Sequence, residues 1–150
     1  MSIATLANPA VVTVAEETDL VVAAQRMREK HVGLLVVTRR VSGGGEEPVG
    51  IVTDRDIVVG VVAREADARA LRVGDVMSHA PITVGRATGI AETLARMRET
   101  GLRRMPVVDE AGRLVGLVAM DDLVDYVARL LGDVAGAIRN EQRIERAVRA

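Results

Sequence analysis

The sequence predicts an α/β (α+β) fold of two β-α-β-β-α repeats packed sheet to sheet with pseudo-twofold symmetry, plus a C-terminal helical tail. Three repeated features carry that prediction. Arg-Met-Arg-Glu stands at residues 26–29 and again at 96–99. Thr13-Val14 and Thr83-Val84 precede the two copies at the same distance. Downstream, Gly50-Ile-Val-Thr-Asp-Arg-Asp56 is answered by Gly116-Leu-Val-Ala-Met-Asp-Asp122. Self-similarity at a fixed period marks a duplicated structural unit. Agreement between the copies reports the shared fold, and disagreement reports where they differ.

The first repeat opens on Val-Val-Thr-Val at 11–14, a β-branched run suited to a buried strand. Thr18 or Asp19 caps a helix with Leu20, Ala24 and Met27 on one face. Gly33 ends that helix, and residues 34–37 form a second strand. A loop at 39–48 contains three consecutive glycines. Residues 49–52 then form a third strand and 54–63 a second helix. The second repeat keeps this order. A strand at 82–84 precedes a helix capped by Thr88, with Ile90, Leu94 and Met97 on one face and Gly101 at its end. Strands at 105–108 and 114–118 and a helix at 121–131 complete it.

Met27 and Met97 are 70 positions apart, whereas Gly50 and Gly116 are 66 apart. The difference falls in the hairpin loop, where added length costs little. Each repeat alone leaves a sheet face uncovered, and packing the two sheets together covers both. The expected boundaries are 8–64 for the first repeat, 65–76 for a linker, 77–131 for the second repeat and 132–150 for a C-terminal helical extension. Within the linking region, 64–71 is alanine-rich and helix-compatible, and 73–77 suits a short helical turn. Gly132 and Gly136 loosen the chain after Leu131. Residues 139–150 then alternate charge, with Ile144 and Val148 at helical spacing, as in a solvated helix or one docked on a partner.

Composition narrows the function. At 150 residues and 49% apolar content, the chain can bury an ordinary core. A net charge of −1 creates no field toward nucleic acid or anionic membrane. Tyr126 is the single aromatic residue, so base-stacking platforms are missing. Neither a nucleic-acid partner nor a membrane is therefore expected. The absence of cysteine excludes disulfide and thiolate chemistry. His31 and His79 have no partners at ligand spacing, so no metal is expected. With no signal-like start and no apolar run of about 18 residues, a cytoplasmic protein is expected. No nucleophile–base pair presents itself, and the expectation is that the protein is not an enzyme.

The sharpest local pattern is Thr53-Asp-Arg-Asp56, where a strand turns into a helix. A hydroxyl three residues before a carboxylate forms a capping box, which needs no ligand. The same groups suit a ligand: free N–H donors and a hydroxyl for phosphate, and a carboxylate for two sugar hydroxyls. In the second repeat Asp122 matches Asp56, but Ala119 replaces Thr53. Gly43-Gly44-Gly45 lacks the Gly-Lys-Ser/Thr ending of a phosphate loop and reads as a hairpin connection. Arg103-Arg104 suits either a solvated edge or phosphate contact, and Gly33-Leu34 takes its place in the first copy.

The ordered set of these motifs, together with Met105-Pro-Val-Val-Asp109, resembles a tandem cystathionine-β-synthase (CBS) domain pair, or Bateman module, over roughly residues 8–131. It is most similar to the small stand-alone bacterial pairs. The resemblance implies a regulatory module that binds an adenosine nucleotide or related adenosyl ligand in clefts between the copies. AMP, ADP or ATP is the expected ligand, ahead of NAD or S-adenosylmethionine, and no cofactor is required. It implies that Thr53 and Asp56 contact phosphate and ribose in the first site, with Asp122 alone in the second. Pro81 and Ile82 would wall the base in the Asp56 site, and Val11 and Val12 in the Asp122 site. Residues before the second strand would line the phosphate region: Gly33 and Leu34 in one copy, Arg103 and Arg104 in the other. A homodimer and an unidentified protein partner are also implied. The alternative is a dimeric scaffold that binds no ligand and acts through its C-terminal helix.

Overall fold

The computed structural model describes residues 1–149. In the first repeat, β1 (Thr13–Ala15) leads through α1 (Leu20–Lys30) to β2 (Leu34–Arg40), its parallel neighbour. A hairpin then gives β3 (Glu46–Thr53), antiparallel to β2, followed by α2 (Asp54–Gly60). Two 3-10 turns, Val62–Arg64 and Ala68–Ala70, lead to α3 (Val73–Val76) and β4 (Ser78–His79). The second repeat runs β5 (Val84–Gly85), α4 (Ile90–Thr100), β6 (Arg104–Val108), β7 (Leu114–Ala119) and α5 (Met120–Arg149), with the same parallel and antiparallel pairings. The expected mixed α/β architecture, with two sheets and a C-terminal helix, is the one observed.

Strand alternation explains how each sheet is covered on both faces. Leu35, Val37 and Val52 point into a core shared with Ala23 and Met27 of α1. Met105, Val107 and Val118 do the same beneath Met97 of α4 and Leu123 of α5. Val36 and Pro106 fall on the opposite faces by the two-residue period, and they too are buried. β3 and β7 lie in contact where the two sheets meet.

The repeated sequence motifs have structural explanations. Met27 and Met97 each fill their own core. Arg26 Nη1 donates to the Thr13 carbonyl at 2.7 Å, and Arg96 Nη1 donates to the Thr83 carbonyl at 3.4 Å. Arg-Met-Arg-Glu and the upstream Thr-Val pair are thus two ends of one contact, made twice.

Gly50 and Gly116 are also matched for a reason. A Cβ on Gly50 would lie 2.5 Å from Met77 Sδ and 3.0 Å from the Ser78 carbonyl oxygen. One on Gly116 would lie 3.0 Å from Ala7 Cβ and 3.3 Å from the Asn8 carbonyl oxygen. At each glycine a chain segment crosses the strand so closely that an added Cβ would force the neighbour to shift.

Those crossing segments reveal an exchange. Ser78–His79, which leads into the second repeat, pairs with β3 of the first. Asn8, which leads into the first repeat, exchanges two 2.9 Å backbone bonds with Leu117 of the second. Val73 is buried in the first core and Ile3 in the second. The Val73 N–H donates to Thr18 and the Ile3 N–H to Thr88, at 2.9 and 2.7 Å. Each repeat is therefore completed by the segment that precedes its partner.

Several sequence expectations need correction. The strand expected at 11–14 begins at Thr13, and the one expected at 82–84 occupies Val84–Gly85. Helix α1 ends before Gly33, because His31 takes the left-handed conformation (φ 54°) and Val32 N–H bonds back to Met27. Neither Thr18 nor Asp19 caps α1 with its side chain; the Leu20 N–H donates instead to the Leu71 carbonyl. Gly89, not Thr88, precedes α4. The loop expected at 39–48 shrinks to residues 41–45, since Thr38 Oγ1 donates to Glu46 and Arg39 pairs with Glu47 across the hairpin. Three glycines with φ of 87–90° make that short turn possible. Helix α2 stops at Gly60, and within 64–71 only Ala68–Ala70 forms a helical turn.

The largest correction concerns the C-terminus. Gly132 and Gly136 do not interrupt the chain; α5 runs unbroken through both. Each glycine costs a helix about 1 kcal/mol relative to alanine, and many good helix formers flank this pair.

Candidate functional site

A cleft of about 860 Å³ opens between the repeats. From the first repeat it takes Gly33 and Leu34 at the start of β2, and Thr53 through Asp56 where β3 enters α2. The connecting segment adds Ser78 through Ile82, and the second repeat adds Gly101 through Arg104. The cleft thus brings together Thr53, Asp56, Gly33, Leu34, Pro81, Ile82, Arg103 and Arg104. The two strand-start pairs, expected at separate sites, line one wall system. Asp122, Val11 and Val12 lie outside this cleft's lining.

Local structure fixes the floor. Thr53 Oγ1 accepts from the Asp56 N–H at 3.1 Å, and Asp56 Oδ2 accepts from the Thr53 N–H at 2.8 Å. This is the capping box expected from the sequence. It orients the Asp56 carboxylate and, among the described residues, leaves Oδ1 without a hydrogen-bond donor. In the second repeat Asp122 Oδ2 accepts from the Ala119 N–H at 3.0 Å, so half of the box survives. Restoring the hydroxyl with Ala119→Thr is expected to stabilise the fold by about 1 kcal/mol, read as a rise in the urea midpoint. No gain would mean that the strand–helix junction there cannot seat a cap.

The walls carry opposite charges. Asp54 and Asp56 belong to the first repeat, Arg103 and Arg104 to the second. Arg103 reaches Asp121 at 3.4 Å, with both side chains about three-quarters exposed. Such a pair contributes little and yields readily to a competing anion. Gly33 leaves room for Asp54, since a Cβ there would sit 2.7 Å from Asp54 Oδ2. At the matching positions of the second repeat stand Arg103 and, in place of Asp54, Met120. Ala80 holds the left-handed conformation (φ 49°), uncommon for alanine, just ahead of Pro81 and Ile82.

Sequence reasoning missed Ser78, His79 and Ala80 as lining residues. Their signal was the 70-residue spacing from Asn8–Ala10, which becomes readable only once the exchange of segments is known. Among the described residues, no cluster of three or more His, Cys, Asp or Glu side chains could hold a metal ion. None of the described helices is long and apolar enough to cross a membrane.

Two β-α-β-β-α units joined about a pseudo-twofold, with a ligand-sized cleft between them, define a tandem repeat module. The CBS domain model matches residues 3–63 and 73–129, and the chain belongs to that family. An uncharacterized protein of Methanopyrus kandleri is 30% identical over 142 residues, 95% of this chain and 70% of the relative. Hypoxic response protein 1 of Mycobacterium tuberculosis is 34% identical over 120 residues, covering 80% of each chain. Its crystal structure, which holds two coordinated zinc ions, superposes with a TM-score of 0.69 at 32% identity, over 83% of this chain and 98% of that one. A signal-transduction protein with CBS domains from Burkholderia ambifaria gives a TM-score of 0.72 at 32% identity, over 85% and 93% of the two chains. Ligand binding is general among CBS pairs, and most are regulatory modules without an activity of their own.

Proposed function

We propose that this chain is a ligand-sensing module that binds an adenosine nucleotide in the cleft around Thr53 and Asp56. The observation that carries this reading is the opposition of a fixed, half-free carboxylate to two arginines across one cleft. A carboxylate suits the paired hydroxyls of a sugar, and Arg103 and Arg104 suit phosphate oxygens. Pro81 and Ile82 supply an apolar wall for the flat base, and about 860 Å³ lies within the range of small-molecule sites. Asp122, with Val11 and Val12, marks a second and weaker site that lacks the Thr53 hydroxyl. Because both repeats wall the first cleft, an occupant that prefers one arrangement of the repeats shifts their packing, which a partner can read.

Calorimetric titration with AMP, ADP and ATP, with NAD and S-adenosylmethionine as comparisons, tests the assignment. One dominant site for an adenosine phosphate is the expected result, and two equivalent sites would overturn it. A second reading, a scaffold acting through its C-terminal helix, draws on the apolar residues exposed along α5. Thermal shift separates the two, since a ligand bound only by the folded state raises the melting temperature. A flat response across the nucleotide panel favours the scaffold.

A further inference from the structure

A second cavity, of about 430 Å³, lies at the carboxyl ends of the parallel strands β1 and β2. The first cleft takes Leu34, where β2 starts, and this cavity takes Arg40, where β2 stops. The strand between them spans about 20 Å at about 3.3 Å per residue, and the two cavities share no lining residue.

The charges of the second cavity are kept apart. Glu16, Glu17 and Glu46 share it with Arg26, Arg39 and Arg40, yet among the described residues no two of these six form an ion pair. Other partners hold three of them. Arg26 Nη1 donates to the Thr13 carbonyl at 2.7 Å. Arg39 pairs with Glu47, which is not part of the lining. Arg40 stands directly across the hairpin from Glu46, but Glu46 Oε2 accepts instead from Thr38 Oγ1 at 3.0 Å. Thr38 is only 8% exposed, so its hydroxyl is a fixed donor. Glu16, Glu17 and Arg40 are left without a partner of opposite charge among the described residues.

We propose that this cavity binds a free α-amino acid with an uncharged side chain. A zwitterion carries both signs, and the wall offers both: Glu16 and Glu17 to the ammonium, Arg40 to the carboxylate. Three acids against three arginines leave the lining neutral, so an ion of either single sign meets as many like charges as opposite ones. A volume of about 430 Å³ is that of a small-molecule site. The chemistry belongs to the first repeat alone. Val108 matches Thr38, Arg86 matches Glu16, Ala87 matches Glu17 and Glu110 matches Arg40. Asp109, which matches Arg39, commits Oδ1 to the N–H groups of Ala111 and Arg113. The inference does not depend on what occupies the first cleft.

Calorimetry on the full chain with glutamine, serine and leucine as probes tests the proposal. Saturable binding of at least one is expected, and its N-acetyl and amide forms, each lacking one charge, are expected to bind at least about tenfold more weakly. Glu17 and Arg40 are exposed, so Glu17→Gln and Arg40→Gln are expected to weaken binding by at least about tenfold with the urea midpoint unchanged. Thr38→Val, which copies the second repeat, is expected to free Glu46 for Arg40 and to weaken binding likewise. Asp56→Asn is expected to leave it unchanged. No saturation by any of the three probes at millimolar concentration would overturn the proposal. So would binding undiminished in both Glu17→Gln and Arg40→Gln, or lost in Asp56→Asn. Tighter binding of glutamate than of glutamine would overturn the uncharged side chain.

Discussion

Replacing Ile3 by alanine is expected to lower the stability of the whole chain by about 2–5 kcal/mol, the usual cost of truncating a fully buried aliphatic side chain. Residue 3 lies far in sequence from the core it fills, among Val84, Met97, Met105, Val107, Val118 and Leu123. Its N–H is committed as well, at 2.7 Å from the Thr88 carbonyl. Met1→Ala is the control, since Met1 is 67% exposed and its change is expected to stay within about 0.5 kcal/mol. Urea unfolding distinguishes them by a fall in midpoint at constant slope. A cost below about 1 kcal/mol for Ile3→Ala would show that the leading segment does not dock in solution. Val73→Ala, the matching position in the other core, is expected to act in the same direction with a smaller effect, because less volume is removed.

Asp56→Asn is expected to weaken nucleotide binding about ten- to a hundredfold, in line with about 1.5–3 kcal/mol for a hydrogen bond to a charged group. The substitution separates two roles of one carboxylate. The asparagine oxygen still accepts from the Thr53 N–H, so the capping contact survives and the melting temperature is expected to move little. What is lost is the charge and the second acceptor that would hold two ribose hydroxyls. Asp122→Asn is expected to leave the main isotherm unchanged. Calorimetry on both variants decides between them. Equal losses would assign the two sites equal weight, and unaltered binding in Asp56→Asn would remove the carboxylate from the site.

Features that recur within a single element were legible in the sequence. The buried methionines of α1 and α4, the close-crossed glycines of β3 and β7 and the Thr53 capping box all leave periodic or local signatures. Gly101 was correctly placed because its φ of 70° ends α4 by itself. His31 does the same for α1 without being glycine, which no local rule anticipates. Elements defined by distant partners were not legible. β4 is two residues long and exists only because β3 lies beside it. Ile3 sits in a segment with no periodicity of its own, and its value appears only beside Val73. In α5, the local penalty of two glycines predicts a loosened chain after Leu131, but the length of the flanking helix outweighs it. At the cleft, the residue types were visible from the motifs. That Arg103 and Arg104 line the same cleft as Asp56 is visible only once the two repeats are packed together.

The crossed leading segments also set a timetable for synthesis. During synthesis Ile3 emerges long before its pocket, since β7 and Leu123 close that pocket. The first core waits for Val73 and Met77, which arrive only after its own strands and helices are complete. A nascent chain halted near residue 64 therefore carries one core with an open side and one apolar residue with nowhere to go. Native packing becomes available to the first core once Val73 and Met77 have emerged, and to the second only after β7 and Leu123, so each repeat is completed by a segment made before its partner's strands.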